Sequence, residues 1–244
     1  MREVKRVKDV WTKGPTVFED EQEFHNFFDI DDTVENALKR GFIDFSHRIF
    51  TPDFYQVLGD PRDKTALEIG FGGGRLLNAA SNFFGNVVGV DIHECFDRTS
   101  SILDREGCTN YQLVHRDDID SIPENSIDFV YSFIVFQHFS HWSEAEFYIK
   151  HVERVLKPGG CGILYMAINE RDQNADFVES GEFWEELGVS LVVKPDFAMK
   201  RLSESFQVFQ ASRTAKSMWG KGATMQSAQF YMKFLKPEIS EGDK

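Results

Sequence analysis

Apolar side chains recur at helical spacing near the start of the chain. The recurring positions are Val34, Leu38, Phe42, Phe45 and Ile49. Residues three to four positions apart share one face of a helix, so this spacing predicts an amphipathic helix. The preceding Asp31-Asp32-Thr33 is typical of a helix start, because short polar side chains accept hydrogen bonds from the free N–H groups of the first turn. We therefore expect residues 1–60 to form a helical layer.

From Thr65 the pattern changes to short apolar runs that alternate with helical segments. The runs typical of strands are 65–70, 86–92, 111–118, 126–136 and 161–168, and the segments typical of helices are 75–84, 93–107 and 143–156. A turn at KPGG, residues 157–160, precedes the last of these strands. Strands that alternate with helices at this spacing predict an α/β fold with a parallel sheet covered on both faces.

The pattern after Asn169 is less regular. Residues 181–188, GEFWEELG, are typical of a helix. The segments 190–193, 206–211 and 229–235 are apolar or alternating enough to be strands, although the middle ones are equally compatible with helices. With no repeat or long linker, we expect one domain over residues 1–244. Its parts are the helical layer 1–60, a core 61–169 and a completing segment 170–244.

The stretch ALEIGFGGGRL, residues 66–76, contains four glycines within five positions directly after a predicted strand. A strand that runs through glycines into a helix presents backbone N–H groups to a ligand, and glycine allows the ligand to come close. A dinucleotide-binding loop would need glycine at the sixth position, where Arg75 stands. The spacing therefore indicates another ligand, or a glycine-rich turn that binds none.

Acidic residues follow the next two predicted strands. Asp91 lies about 20 residues after Gly70, where a carboxylate can accept hydrogen bonds from both ribose hydroxyls. Alternatively, Asp91 caps the helix that follows it. Asp117 comes after the third strand, where a carboxylate can accept a hydrogen bond from an adenine amino group, or simply lie in a solvated acidic turn. Taken with the glycines, these positions favour a nucleoside ligand.

These motifs together resemble the class I S-adenosylmethionine-dependent methyltransferases, and within them the small-molecule branch called type 11. The matching segments, in chain order, are ALEIGFGGGR, VVGVDI, HRDDIDSIPENSIDFVYS and HVERVLKPGGCGIL. The resemblance covers Thr65 to Ala167 and is specific because all four segments occur in the family's order. It implies a Rossmann-like doubly wound sheet, mostly parallel with an antiparallel strand near the C-terminus. It also implies a helical N-terminal layer folded over the cofactor.

The resemblance implies a role for each motif residue in binding S-adenosylmethionine. The methionine part would be held by Glu68, Gly70, Phe71, Gly72 and Gly74, the ribose by Asp91, the adenine by Ile92, Asp117 and the backbone of Asp118 or Ile119, and the region of the transferable methyl by Ser132 and Phe133. The sequence departs from the usual family pattern at two of these positions. Phe71 replaces a small or sulfur-containing residue, and Glu68 replaces the more frequent aspartate.

A candidate base follows the fourth strand of the core. Gln137, His138 and His141 lie just beyond its end, and a histidine there could remove a proton from a hydroxyl or acid acceptor. His138 is the candidate catalytic base, although a histidine simply hydrogen-bonded in a loop would give the same sequence. The many phenylalanines of the helical layer and of 133–139 would form either an acceptor pocket or ordinary core.

Composition and charge limit the classes of partner that the protein is expected to bind. The chain of 244 residues carries a net charge of −13, which weighs against a nucleic-acid partner because such binding usually rests on basic residues. The charge is uneven, since Lys194 to Lys236 contains eight basic and two acidic residues and is net +6. This segment is either a solvated surface or a site for a phosphorylated or sugar-nucleotide acceptor.

Other sequence features concern the cellular setting. The three cysteines, Cys95, Cys108 and Cys161, are scattered without ligand spacing, which indicates reduced thiols and predicts no metal site. No apolar stretch is long enough to cross a membrane, and residues 1–11 lack the apolar segment of a signal peptide. We therefore expect a cytoplasmic protein with no membrane partner.

The leading functional hypothesis is a methyltransferase that uses S-adenosylmethionine to methylate oxygen, nitrogen or carbon of a small-molecule acceptor. A non-catalytic member of the same fold, which binds the cofactor or a partner protein without turnover, is the alternative. A nicotinamide-dependent oxidoreductase is disfavoured by Arg75 at the sixth loop position and by the KPGG turn.

Overall fold

The computed structural model describes residues 5–29, 33–183, 189–214 and 229–238. Its strands are β1 Lys5–Arg6, β2 Thr65–Ile69, β3 Asn86–Asp91, β4 Tyr111–His115, β5 Ile127–Ser132, β6 Leu156–Ala167, β7 Phe177–Glu179, β8 Glu182–Phe183, β9 Leu191–Val193, β10 Gln207–Arg213 and β11 Gln229–Leu235. Its α-helices are α1 Val7–Lys13, α2 Glu21–Phe28, α3 Val34–Asp44, α4 Pro52–Leu58, α5 Arg75–Ser81, α6 Phe96–Arg105, α7 Trp142–Val155 and α8 Pro195–Leu202. Short 3-10 helices span Gly14–Val17, Pro61–Asp63, Arg116–Ser121 and Phe136–His138, and a π-helix spans Phe45–Ile49.

A mixed sheet forms the centre of the described structure. Its seven strands run in the order β10-β11-β6-β5-β2-β3-β4. The strands β4, β3, β2, β5 and β6 are parallel, whereas β11 is antiparallel to both of its neighbours, β6 and β10. The predicted mostly parallel, doubly wound Rossmann-like sheet with an antiparallel strand near the C-terminus is therefore confirmed. The carboxyl ends of β2, β3 and β5 meet at one edge of this sheet.

The hydrophobic core lies on both faces of the sheet because neighbouring residues of each strand point to opposite sides. Leu67 of β2 and Val130 of β5 pack with α7 and α8 in one cluster. Ala66 of β2 and Phe129 of β5 pack with α4 and α5 in the other. Strands that are buried on both faces explain the nearly continuous apolar runs of the sequence.

The predicted helix that begins at Val34 forms two successive elements in the structure. Helix α3 begins where the hydroxyl of Thr33 accepts a hydrogen bond from the N–H of Asn36 at 3.0 Å. The α-helical pattern ends at Asp44 and gives way to the π-helix, which the sequence pattern does not separate from α3. Helix α3 packs closely on α5. The two backbones are so near at Gly41 that a Cβ there would lie 2.4 Å from the carbonyl oxygen of Arg75.

The predicted KPGG turn lies inside β6. In the register of β5 with β6, Ile127 faces Leu156 and Phe129 faces Cys161. Two residues of β5 therefore correspond to five of β6, and the additional residues form a bulge. The carbonyl oxygen of Gly160 accepts a hydrogen bond from the N–H of Lys236 at 2.8 Å, which holds the bulge against the chain after β11.

The predictions for the C-terminal third had mixed outcomes. Segments 190–193, 206–211 and 229–235 contain β9, β10 and β11, so their assignment as strands is confirmed. The predicted helix 181–188 is wrong at Glu182–Phe183, which forms β8 antiparallel to β1, while residues 184–188 lie outside the described residues. Pairing with a distant strand satisfies the backbone there, and a local pattern does not contain this information.

No helix among the described residues is long and apolar enough to cross a bilayer. Within the same ranges, no three histidine, cysteine or acidic side chains are grouped so that they could hold a metal ion. The three cysteines are buried and unbridged, and burial raises the pKa of the Cys108 thiol.

Candidate active site

A cleft of about 1140 Å³, including the solvent at its mouth, opens at the carboxyl edge of β2, β3 and β5. This is where ligands bind in open α/β sheets, because the loops that leave the strands diverge there. Its lining comes from the N-terminal layer, from the glycine loop and from the chain after β5, so residues that are distant in sequence meet around one opening.

The glycine loop forms the floor of the cleft and is itself covered by side chains. Gly70 has a φ of +78°, and a Cβ there would lie 2.4 Å from Cγ2 of Val135. Gly72 has a φ of +48°, and a Cβ there would lie 2.9 Å from the ring of Phe28. The positive φ angles and the close side chains both require glycine. The loop thus packs under the N-terminal layer, in addition to facing the cleft.

Asp91 links the end of β3 to the glycine loop. Its Oδ2 accepts a hydrogen bond from the N–H of Gly72 at 2.8 Å, and its Oδ1 accepts one from the N–H of Ile92 at 2.6 Å. Asp91 and Ile92 also line the cleft. The carboxylate of Asp91 therefore fixes the loop while its remaining lone pairs are available to hydroxyl donors.

His93 holds the loop from behind. Its Nδ1 accepts a hydrogen bond from the N–H of Cys95 at 3.1 Å, so Nε2 carries the hydrogen and donates to the carbonyl oxygen of Gly72 at 3.2 Å. The hydroxyl of Thr99 donates to the same oxygen at 3.0 Å. Burial lowers the pKa of His93, which keeps this neutral arrangement.

Glu68 is a buried carboxyl group on the wall of the cleft. Only 2% of the residue is exposed, and its Oε2 accepts a hydrogen bond from the hydroxyl of Tyr131 at 3.0 Å. Burial raises the pKa of Glu68 well above its usual range, and the nearby guanidinium of Arg75 opposes that shift. The side chain is thus a hydrogen-bonding group whose charge depends on what lies beside it.

Arg75 is the centre of a buried ion cluster beneath the cleft. Its Nε lies 2.7 Å from Oδ1 of Asp29, and its Nη1 lies 2.7 Å from Oδ2 of Asp44. Arg40 also binds Asp29, with Nη2 2.9 Å from the same oxygen. The cluster ties helix α5 to the N-terminal layer. These ion pairs could not be predicted from the sequence, because both partners of Arg75 are distant in sequence.

Helix α1 forms a wall of the cleft that sequence analysis missed. Val7, Lys8 and Trp11 line the opening, and the indole of Trp11 lies 4.5 Å from the imidazole of His138 between ring centroids. The carbonyl oxygen of Thr12 accepts a hydrogen bond from the N–H of Glu94 at 3.3 Å, which fixes the end of α1. The sequence feature that could have indicated this wall is Trp11, an aromatic residue in a short polar segment.

His138 lies at the end of β5, on the cleft, as the sequence predicted. Its Nε2 is 3.3 Å from Nε2 of Gln137, whose Oε1 accepts a hydrogen bond from Nε2 of Gln229 at 2.5 Å. Because an amide nitrogen only donates, Nε2 of His138 is the nitrogen that accepts. The second histidine, His141, is exposed, lies 3.2 Å from Glu179 and does not line the cleft.

The backbone just after β5 is strained. Ile134 has a φ of +61°, which is unusual for a β-branched residue. This conformation turns the chain so that Phe133 and Val135, on either side of it, both line the cleft. Strained backbone of this kind clusters at functional sites.

The far end of the cleft differs from the motif-based expectation. Its wall is formed by Ile92, Arg116, Phe139, Ser140, Glu144 and Tyr148. The side chain of Asp117 is 71% exposed, Asp118 is also exposed, and Ile119 is buried in the core. None of these three lines the cleft. Their binding roles remain predictions.

The other motif residues fall into two groups. Glu68, Gly70, Phe71, Gly72, Asp91, Ile92, Phe133 and His138 come together on the cleft. Gly74 and Ser132 lie behind the wall. The hydroxyl of Ser132 donates to the carbonyl oxygen of Ile69 at 3.0 Å, which joins the ends of β5 and β2.

The basic segment 194–236 does not contribute to the cleft in the part of it that the structure describes. Lys233 is buried and pairs with Asp53 at 2.7 Å, and Arg201 pairs with Glu146 at 2.7 Å. Lys216 and Lys221, two of the eight basic residues of this segment, lie outside the described residues. The pair of Arg201 is typical of a protein surface, whereas Lys233 belongs to the buried interior.

Comparison with known proteins agrees with this geometry. Residues 67–164 match the model of the family described as methyltransferase domain. The protein carries a class I methyltransferase domain. The matched residues run from β2 to β6 and include the glycine loop, Asp91 and His138. A search of curated proteins finds no match.

Solved structures share the fold at low sequence identity. A SAM-dependent methyltransferase from Methanosarcina mazei has a TM-score of 0.58 and 19% identity over 78% of this chain and 99% of its own. The N-methyltransferase NodS from Bradyrhizobium japonicum, solved with S-adenosyl-L-homocysteine, has a TM-score of 0.54 and 15% identity over 83% and 98%. The cyclase SpnF has a TM-score of 0.56 and 14% identity over 72% and 76%.

The cleft fits S-adenosylmethionine, the cofactor of this domain family. The buried carboxyl of Glu68 suits the positively charged end of the donor, and the apolar side chains of Phe71 and Ile92 suit an uncharged ring. The domain match confirms the predicted enzyme class and cofactor.

Proposed function

We propose that this methyltransferase acts on a small-molecule acceptor, and that His138 takes the proton that the acceptor loses. One observation supports this most directly. The rings of Trp11 and His138 are in tilted contact, with centroids 4.5 Å apart, on the same cleft that contains Asp91 and the glycine loop. A donor held by the loop and an acceptor held beside these two rings would therefore meet near the end of β5.

The cofactor supplies an electrophilic methyl group on a sulfonium, so the protein mainly has to align the acceptor and exclude water. Phe28, Phe133 and Val135 provide apolar walls for this purpose. We propose that Asp91 accepts hydrogen bonds from the ribose hydroxyls and that Glu68 lies beside the amino-acid end of the donor. The backbone of Gly70 and Gly72 forms the floor below it.

His138 would act through Nε2. This atom would take the proton of a hydroxyl or thiol acceptor as its oxygen or sulfur attacks the methyl carbon, or the proton of a neutral amine after its attack, and the electrons of the carbon–sulfur bond would stay on sulfur. The long 3.3 Å contact from Gln137 holds the ring with this nitrogen unprotonated. The contact has to be given up when the acceptor arrives, which costs little at that length.

The test has two steps. Calorimetry with S-adenosylhomocysteine measures cofactor binding, and labelled S-adenosylmethionine with fractionated metabolites detects transfer. His138→Asn should keep cofactor affinity and reduce turnover by about 100-fold or more, the usual contribution of a general base. The control His141→Asn changes an exposed histidine outside the cleft and should keep turnover. No cofactor binding, or equal turnover in the two variants, would contradict the proposal.

A non-catalytic cofactor-binding protein is the second candidate. The cyclase SpnF shares the fold, and its name describes a cyclisation, so the fold by itself does not require methyl transfer. A protein of this kind would bind S-adenosylhomocysteine tightly, yet transfer no label to any metabolite fraction. The same experiment therefore separates the two candidates.

A further inference from the structure

We propose that Gln229 of β11 is a positioning residue for His138. It fixes the side-chain amide of Gln137, and that amide in turn keeps Nε2 of His138 free of hydrogen. The inference rests on the proposed function, because it names the residue that would prepare the base of the same site. Gln229 lies 92 residues after Gln137 and outside residues 67–164, which match the domain family.

The two amides form a buried chain of hydrogen bonds beside the cleft. Nε2 of Gln229 donates to Oε1 of Gln137 at 2.5 Å, and Nε2 of Gln137 lies 3.3 Å from Nε2 of His138. Gln137 is only 3% exposed and Gln229 only 8%. Burial strengthens such hydrogen bonds, because the local dielectric constant is low. The chain therefore connects β11 to a ring that lines the cleft.

This chain has a direction, because each amide has one donating and one accepting end. The nitrogen of Gln229 can only donate, so it pairs with the oxygen of Gln137. The nitrogen of Gln137 then faces the ring of His138, and it can donate only to a ring nitrogen that carries no hydrogen. If both amides were reversed, the oxygen of Gln137 would face the ring and Nε2 of His138 would carry the hydrogen.

Backbone hydrogen bonds hold both glutamines in place. The carbonyl oxygen of Gln137 accepts a hydrogen bond from the N–H of Ser190 at 2.8 Å. The carbonyl oxygen of Gln229 accepts one from the N–H of Thr214, also at 2.8 Å. In the register of β11 with β6, Gln229 lies opposite Ala167. Each amide is therefore attached to an anchored backbone and can orient its neighbour.

The position of the ring hydrogen decides whether His138 can act as a base at Nε2. With the hydrogen on Nδ1, Nε2 has a free lone pair, and the acceptor replaces the amide of Gln137 as the donor to it. With the hydrogen on Nε2, the same atom could only donate. Gln229 would thus keep the ring in the form that takes the proton, without touching the acceptor itself.

The experiment reads the ring hydrogen of His138 directly. Long-range proton–nitrogen NMR of protein labelled with ¹⁵N-histidine, at a pH at which the rings are neutral, distinguishes hydrogen on Nδ1 from hydrogen on Nε2. The signal missing from His138→Asn identifies His138. His93 is the internal reference, since its hydrogen bonds place the hydrogen on Nε2. We expect His138 in the wild-type protein to carry its hydrogen mainly on Nδ1.

One variant and one matched control locate the cause. Gln229→Met keeps the length of the side chain and removes the amide donor. The ratio of the Nδ1–H form to the Nε2–H form of His138 should fall about two- to tenfold, the range for one neutral hydrogen bond. Turnover at saturating cofactor should fall by no more than that factor, with unchanged affinity for S-adenosylhomocysteine.

The control is Gln210→Met on the neighbouring strand β10. Gln210 is exposed, and its amide donates to the hydroxyl of Tyr231 at 3.0 Å. It does not line the cleft, so both the ratio and turnover should stay at the wild-type values. A purely structural role for Gln229 would lower stability and leave the ratio of the two ring forms unchanged.

Three results would overturn the proposal. They are hydrogen on Nε2 of His138 in the wild-type protein, an unchanged ratio in Gln229→Met, and equal shifts in Gln229→Met and Gln210→Met. The proposed function fails on other results, namely wild-type turnover in His138→Asn or no binding of S-adenosylhomocysteine. In that case the NMR spectra still decide whether Gln229 sets the form of the ring.

Discussion

Nε of Arg75 lies 2.7 Å from Oδ1 of Asp29, and this buried pair joins the helix after the glycine loop to the end of α2. Both side chains are about nine-tenths buried. A buried pair of this kind matters most when one partner is removed, because the other charge is left without compensation. The N-terminal layer is therefore held on the cofactor core by charge as well as by apolar packing.

Asp29→Asn should lower the free energy of unfolding by about 1.5–3 kcal/mol, the range for a hydrogen bond to a charged group. Arg75 keeps its second partner, Asp44, so the protein should still fold. Urea denaturation measures the change. Glu35→Gln is the control, since it breaks the exposed pair of Glu35 with Lys39 and should have a far smaller effect. Equal losses in both variants would contradict the role of the buried pair.

His25 should make the docking of α2 sensitive to acid. The ring is fully buried against Gly73, and neither nitrogen has a hydrogen-bond partner among the described residues. Burial lowers the pKa of His25 below 6.5, while Asp29 and Glu21 raise it and Arg75 and Arg40 lower it further. The unfolded chain therefore binds a proton at a higher pH than the folded one does. Stability should fall as the pH decreases through about 6.5 towards the lowered value.

His25→Phe tests this expectation by removing both unpaired nitrogens while keeping a ring of similar shape. The variant should lose less stability than the wild-type protein between pH 7.5 and pH 5.5, as measured by urea denaturation at each pH. His47→Gln changes an exposed histidine and should follow the wild-type profile. Parallel profiles for His25→Phe and the wild-type protein would show that His25 is not the group responsible.

Gly70→Ala should destabilise the protein more than Gly107→Ala does. Both glycines have positive φ, +78° and +81°, so each alanine meets backbone strain of about 1–2 kcal/mol. At Gly107 no atom lies within 4 Å of the new Cβ, whereas at Gly70 the Cβ would meet Cγ2 of Val135 at 2.4 Å. Overpacking adds about 1–3 kcal/mol. Similar thermal denaturation of the two variants would mean that Val135 moves away without cost.

Asp91→Asn should weaken S-adenosylhomocysteine about 10- to 100-fold, because a charge-assisted hydrogen bond contributes about 1.5–3 kcal/mol. Asp117→Asn should have a smaller effect, since that side chain is 71% exposed and lies off the cleft wall. Calorimetry compares the two variants directly. A larger loss in Asp117→Asn would support the adenine role that the motif assigns to it and would contradict the wall seen here.

Most of the fold could be predicted from local patterns. Alternating strands and helices, the capping position Thr33 and the glycines of residues 70–74 each depend on neighbours in sequence. Strands that are buried on both faces of a sheet consist of nearly continuous apolar residues, so β2, β3 and β5 could be recognised in the sequence. The short strand β8 was not, because two residues gain their strand conformation only from pairing with β1.

The side of the cleft formed by the glycine loop and Asp91 was predictable for the same reason, since both lie at strand ends that the sequence identifies. Only the tertiary structure decided which distant side chains meet there. It joined Arg75 to Asp29, brought Trp11 against His138 and turned Asp117 towards solvent. Such contacts depend on how helices and loops pack across the sheet. A local pattern specifies an element and its buried face, but not the partner that the face will meet.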